Sequence, residues 1–272
     1  MASVVSGRVD IGDASLYYEA TGAGRPIVLL HGFSLDRRLW DDQAAALSHA
    51  HTVVRYDLRG FGRSTMGSES YTHAHDLKAV LAHLGLDRAA VLGLSLGGGA
   101  AINFAIAYPA AVLALIVADP SLGGFAWSQA FTGAQAAVRA AARDAGVQAA
   151  RDIWLSLPMF RSSMSNPVVA KRLSAMVGDY SGWHWLNADR GRRFSPPAIE
   201  RLGEVSPPTL VAVGEYDIHD FQQIASTLEA GVPDAWKVVI PGVGHVANLE
   251  APNRFNEIVM AFLAETERKT RR

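Results

Sequence analysis

Hydrophobic positions along the chain follow two periods that take turns. Residues 26–30 form a short continuous apolar run, the mark of a strand buried on both faces. Further strands are expected at residues 51–56, 89–94 and 112–118, with helical stretches at 41–48, 74–84 and 96–108 between them. Two earlier strands, at about residues 3–9 and 14–19, are separated by the turn-like Gly12-Asp13. Strands alternating with helices predict βαβ units and a mainly parallel sheet. The alternation stops at Asp119-Pro120 and resumes near Pro208, with a strand at 209–213, a helix at 220–229, a strand at 236–240 and a helix at 251–264. Eight strands flanked by helices, an α/β fold, are therefore expected.

The interval between the two halves has another character. Residues 121–205 lack strand signals, are alanine-rich and helical over 134–153, and hold four of the six tryptophans: Trp127, Trp154, Trp183 and Trp185. A helical segment inserted between two sheet strands predicts a cap over one end of the sheet. The organisation is thus a core in two parts, residues 1–120 and 206–272, with a helical cap at 121–205. Residues 100–118 are apolar and nearly long enough to span a bilayer. Asn103, Tyr108 and Pro109 interrupt them, and Pro109 would break a helix, so a buried helix followed by a buried strand is the better reading.

Composition narrows the function. A chain of 272 residues, 49% apolar and 19% charged, can bury the core of one large α/β domain. The net charge is −1 and no basic stripe is long enough to grip nucleic acid; the charged run at 265–272 reads as a solvated helix end. With no cysteine, disulfides, thiolate catalysis and cysteine-ligated metals are excluded. Residues 1–10 contain no apolar stretch of the kind a signal peptide needs, and a cytoplasmic location is expected.

The chemistry concentrates at Gly93-Leu94-Ser95-Leu96-Gly97, a Gly-x-Ser-x-Gly with an apolar strand before it and a helix after it. A serine on so sharp a strand-to-helix turn is held out at the carboxyl edge of the sheet, at a helix N-terminus that favours a developing anion. Side chains two residues to either side would collide there, hence the glycines. A serine hydroxyl is a poor nucleophile at neutral pH and needs a base, oriented in turn by an acid.

His245, just after the last predicted strand, is the candidate base, and Asp217, after the strand at 209–213, the candidate acid. Glu215, Asp220 and Asp119 are rival acids, and His219 a mild rival base. The backbone N–H groups of Phe33 and Leu96 are the candidate oxyanion donors, and His31 is expected to support its loop by hydrogen bonds. His73-x-His75 has no third partner in view, so no metal is expected.

With these pieces assembled, the sequence resembles the α/β-hydrolase superfamily over nearly its whole length. The matching segments are His31-Gly32-Phe33, Asp57-x-Arg59-Gly60-x-Gly62-x-Ser64, Gly93-x-Ser95-x-Gly97-Gly98, Gly214-x-x-Asp217 and Gly244-His245. Within the superfamily it is similar to small bacterial arylesterase-like carboxylesterases and 3-oxoadipate enol-lactonases. The resemblance implies a Ser95–His245–Asp217 triad, a small-molecule ester or lactone substrate, an acyl-enzyme intermediate and no cofactor. The same triad would equally serve a carbon–carbon bond hydrolase, an amidase or a cofactor-free perhydrolase, and a non-catalytic ligand receptor is the alternative outside enzymes. Trp127, Trp154, Phe160, Trp183 and Trp185 are candidates to wall an apolar substrate pocket.

Overall fold

The computed structural model describes residues 4–270. Its strands are β1 (Val5–Ile11), β2 (Ala14–Thr21), β3 (Arg25–Leu30), β4 (His51–Tyr56), β5 (Ala89–Leu94), β6 (Val112–Ala118), β7 (Thr209–Gly214) and β8 (Ala235–Ile240). Ser3, where the sequence pattern starts the first strand, lies outside the described residues, as do residues 271–272 of the charged tail. The strands form one sheet in the order β1-β2-β4-β3-β5-β6-β7-β8. Pairing is antiparallel between β1 and β2 and between β2 and β4, and parallel from β4 through β8. Gly12, at φ 58°, makes the two-residue β1–β2 turn possible.

Every residue of β5 and β7 is buried, whereas β1 at the edge is half exposed. Central parallel strands are covered by helices on both faces, and this is why they read as unbroken apolar runs. The covering helices include α1 (Asp41–Leu47), α2 (His73–His83) and α3 (Leu96–Ala107). The apolar stretch at 100–118 is the end of α3, a short turn at Pro109–Ala111 and β6. Among the described residues no helix is long and apolar enough to cross a membrane.

Between β6 and β7 lie α4 (Gln129–Asp144), α5 (Val147–Leu155), α6 (Arg161–Ser165), α7 (Pro167–Asp179) and α8 (Trp183–Leu186). The single helix expected at 134–153 is two helices. The chain breaks at Ala145-Gly146, where Gly146 takes φ 89°, and α4 begins earlier than expected because the Ser128 side chain caps it at Phe131 N–H. Phe33, in the loop after β3, packs the insertion against the carboxyl edge of the sheet, with its centroid 5.3 Å from Trp154, 5.7 Å from Tyr180 and 6.1 Å from Trp185. After β7 come α9 (His219–Gly231), β8, α10 (Ala247–Glu250) and α11 (Pro252–Thr270).

Register lines up the strand ends. Leu30 pairs with Gly93, Leu94 with Ala118, Ala118 with Ala212, and Gly214 with Ile240. The loops after β3, β5, β6, β7 and β8 therefore open side by side at one edge, where parallel sheets hold their ligands.

Candidate active site

Ser95 sits between β5 and α3 at φ 53°, ψ −114°, a conformation that costs a non-glycine residue on the order of 1–3 kcal/mol. Its surroundings impose that conformation. Its N–H donates to Ala118 O at 3.0 Å, and its own carbonyl accepts from the N–H groups of Gly99 and Ser121, both at 3.0 Å. The flanking glycines are required by space. A Cβ on Gly93 would lie 2.2 Å from Gly97 O, and one on Gly97 would lie 2.2 Å from Leu30 O. Ser95 and Leu96 are both half-buried and line a cavity of about 680 Å³.

Two loops bring the candidate base and the candidate acid together. Asp217 follows β7 and His245 follows β8, and His245 Nδ1 lies 2.8 Å from Asp217 Oδ2, both residues buried. The other Asp217 oxygen accepts the Ile218 N–H at 2.7 Å. The loops can approach because position 214 is glycine: a Cβ there would lie 2.2 Å from Gly244 O. Glu250 holds the His245 loop from the other side, accepting the Gly244 N–H at 3.0 Å. It also accepts the hydroxyls of Ser162 at 2.5 Å and Ser163 at 2.6 Å, which fastens α6 of the insertion to that loop.

The rival groups are accounted for one by one. Asp220 accepts the Ser128 N–H and hydroxyl at 2.9 and 2.7 Å and so anchors the start of α4. Glu215 accepts the Gly242 N–H at 2.8 Å. His219 is exposed at the start of α9. Asp119 alone stays with the pair: one carboxylate oxygen each from Asp119 and Asp217 and a ring nitrogen of His245 lie within 4.8 Å of one another, all three residues buried.

Burial governs the charges here. It pushes His245 down to about 4, which leaves the imidazole neutral and free to accept a proton. Burial pushes Asp217 up to about 8, opposed by hydrogen bonds from Asp119 and from the Ile218 N–H. It holds Asp119 well above the usual carboxylate range, and the neighbouring Asp217 charge adds to the effect.

The candidate oxyanion donors sit where the register puts them. Leu96 is the first residue of α3, whose leading N–H groups have no partner within the helix. Phe33 follows Gly32, whose Cβ position is 3.5 Å from Ser95 Cβ, and both Phe33 and Leu96 line the cavity. His31 fixes this loop: its Nε2 accepts the Leu58 N–H at 2.8 Å, so its Nδ1–H donates to Gly32 O, also 2.8 Å away. The segment from Asp57 to Ser64 is likewise structural. Asp57 accepts the N–H groups of Arg37 and Arg63, both at 2.8 Å, and Arg59 pairs with buried Asp76 through Nε at 3.0 Å and a terminal nitrogen at 2.7 Å.

The five candidate wall residues divide. Trp127 and Trp154 line the cavity beside Ser95. Phe160 does not; it is buried behind Trp154, with its ring 6.0 Å from His245. Trp185 lines a neighbouring recess and packs on Tyr180, and Trp183 packs on His184 away from the cavity. Phe131, Met159 and Phe221 complete the apolar wall. Phe221 links the parts of the site, since it lines the cavity and its ring centroid is 4.3 Å from that of His245. Phe131 and Phe221 are not distinguished in the sequence because their apolar periodicity is the same as that of any core-facing helix, and Met159 lies in a short turn, Pro158–Phe160, with no period to read.

The profile of the α/β hydrolase fold matches residues 25–252. The chain belongs to the α/β-hydrolase fold family, and it is a hydrolase. This α/β-hydrolase is 30% identical over 264 residues to a candidate carbamate hydrolase, RutD, of Azorhizobium caulinodans, covering 94% of this chain and 97% of the relative. It is 29% identical over 264 residues to a 2-hydroxy-6-oxononadienedioate/2-hydroxy-6-oxononatrienedioate hydrolase of Paraburkholderia phymatum, covering 92% and 91%. Among solved structures, a thermophilic esterase from Thermogutta terrifontis, with malate bound, superposes with a TM-score of 0.82 at 29% identity, covering 97% of this chain and 99% of that one.

Proposed function

We propose that this α/β-hydrolase cleaves carboxylic esters or lactones, with Ser95 as nucleophile, His245 as general base and Asp217 as the acid that orients it. The observation that carries the reading is the buried 2.8 Å Asp217–His245 contact, formed at the same sheet edge as the strained Ser95 turn. Ser95 Oγ attacks the acyl carbonyl while His245 takes its proton. The resulting oxyanion receives the N–H groups of Phe33 and Leu96, aimed at charge that exists only in the transition state. The protonated imidazole then gives its proton to the departing alkoxide. With a lactone, that alkoxide stays tethered to the acyl group. Water, deprotonated by His245, attacks the acyl-enzyme, and the collapse of the second tetrahedral intermediate frees the acid and Ser95.

The insertion acts in this scheme as a cap. Its Trp127, Phe131 and Trp154 give the cavity an apolar wall that keeps bulk water off the acyl group. A second reading, hydrolysis of a carbon–carbon bond in a vinylogous diketone, is favoured by the relative from Paraburkholderia phymatum.

The test is hydrolysis of aryl esters of increasing acyl length, of lactones and of a vinylogous diketone by the wild-type protein and Ser95→Ala. The expected result is ester or lactone turnover with a burst of released phenol on aryl esters, and a loss on the order of 10³-fold or more in the variant. Wild-type rates in Ser95→Ala would overturn the assignment. Turnover confined to the diketone would establish the second reading.

A further inference from the structure

Helix α4 lays one side along the cavity. Thr132, Gln135, Ala136, Arg139 and Arg143 all line it, at the i, i+3, i+4, i+7, i+11 spacing that puts residues on one face of an α-helix. Arg193, from the segment between α8 and β7, lines the same cavity. All three arginines are exposed at its solvent side, whereas Ser95 and Leu96 are half-buried.

These arginines differ from most of the other described arginines. Arg37, Arg55 and Arg59 each meet a carboxylate, at 2.7, 2.8 and 2.7 Å. Among the described residues, Arg139, Arg143 and Arg193 make no ion pair or side-chain hydrogen bond, and no carboxylate lines the cavity. Asp189 shares a neighbouring recess with them. It forms no ion pair with any of the three, and its Oδ1 accepts Tyr71 Oη–H and the Gly191 N–H, both at 3.0 Å. Like charges one helical turn apart repel, so Arg139 and Arg143 cost α4 stability unless an anion joins them. They are about 6 Å apart along the axis, close enough for both planar guanidinium forks to reach one carboxylate.

We propose that the substrate of this hydrolase carries a carboxylate, held by Arg139, Arg143 and Arg193 on the solvent side of the cavity while the acyl carbonyl lies at Ser95. The inference rests on the reading of Ser95 as nucleophile. It narrows the substrate class to esters or lactones with an apolar body that fits between Trp127 and Trp154 and an anionic group remote from the scissile bond.

The experiment compares p-nitrophenyl esters of the same acyl length with and without a terminal carboxylate, the adipate half-ester against the hexanoate ester. Wild-type kcat/KM should favour the carboxylated ester by about 10-fold, the order of one charge-assisted contact, and through KM. That preference should fall as ionic strength rises from about 0.01 to about 1 M, because the Debye length shrinks from about 30 to about 3 Å. In Arg139→Gln/Arg143→Gln the ratio should approach about 1, whereas a purely structural role for these residues would lower both rates and leave the ratio intact. Free adipate should inhibit the wild type competitively and better than inorganic phosphate.

Equal kcat/KM for the two esters, a preference that survives the double substitution, or stronger inhibition by phosphate than by adipate would overturn the proposal. Hydrolysis that persists in Ser95→Ala would instead overturn the nucleophile assignment. The charge ratio, measured separately, keeps the two failures distinct.

Discussion

Asp119 and Asp217 present two buried carboxyl groups to each other and to a single imidazole, with oxygens and ring nitrogen all within 4.8 Å. Two carboxylates so close in a dry site cannot both be ionised without a cation, and they settle by sharing a proton. Asp217 already accepts from His245 and the Ile218 N–H, whereas Asp119 accepts only the Gly214 N–H at 2.8 Å and its Oδ2 is buried with no hydrogen-bond partner. Burial, which holds Asp119 well above the usual carboxylate range, places the shared proton there and makes the Asp119 carboxyl a donor that favours an ionised Asp217. Asp119→Ala should remove that donor, so that Asp217 ionises only at still higher pH. The rising limb of kcat/KM should move to higher pH, and the rate at neutral pH should drop by about 10- to 100-fold, the worth of a hydrogen bond to a charged group. Asp119→Asn, whose amide still donates, should restore both. A pH–rate profile on an aryl ester decides it; an unshifted limb in the alanine variant refutes the assigned proton.

Glycine positions with opposite surroundings should respond oppositely to one methyl group. Gly97→Ala drives a Cβ to within 2.2 Å of Leu30 O, and neither backbone can retreat without moving Ser95. A loss of about 1–3 kcal/mol and of most hydrolase activity is expected. Gly133 lies inside α4 with open space around it, so Gly133→Ala should stabilise by about 0.5–1 kcal/mol. Urea unfolding of the two variants would show the contrast.

His184 should make stability fall in acid. Burial pushes it down to about 4 from the usual 6.5, with its ring stacked 4.3 Å from Phe61 and its Nδ1 2.8 Å from Tyr180 Oη. A depressed histidine stabilises the fold above the unfolded-state value of 6.5, and this contribution is lost as pH falls through about 4, because the unfolded chain takes up the proton first. Relative to His184→Phe, the wild type should lose about 2–3 kcal/mol between pH about 7.5 and about 4.5. Parallel unfolding curves at the two pH values would contradict this.

Glu250 joins the insertion to the His245 loop through Ser162, Ser163 and Gly244. Glu250→Ala frees both at once. Activity should fall by about 10-fold, with faster proteolytic nicking within the insertion, since three bonds to a charged acceptor are lost. Glu250→Gln keeps an acceptor oxygen and should fall between. If nicking and rate match the wild type, the link is not functional.

How much was legible beforehand follows from how local each cause is. Gly93-x-Ser95-x-Gly97 could be read because the clash that demands glycine involves residues a turn away in sequence or at the next strand end. Asp217 and His245 could be read because each follows a strand that announces itself as an apolar run. The break at Gly146 was missed because alanine-rich helical pattern continues through it and glycine alone does not reveal a left-handed φ. Trp183 and Trp185 were grouped with Trp127 and Trp154 because burial and aromaticity are the same for a pocket wall and for an insertion's own core.

The sequence by itself determined the alternation of strands and helices, the position of the serine turn and the order of the candidate nucleophile, acid and base. Those depend on side-chain period, backbone freedom at glycine and residue chemistry, all of which are local. Only the tertiary structure decided that Asp119 stands beside Asp217 while Asp220 and Glu215 are spent on holding Ser128 and Gly242. It alone put the unpaired arginines of α4 over the cavity of Ser95. Those relationships join residues roughly a hundred positions apart in some cases, and they exist only once sheet register and the seating of the insertion have fixed which faces meet.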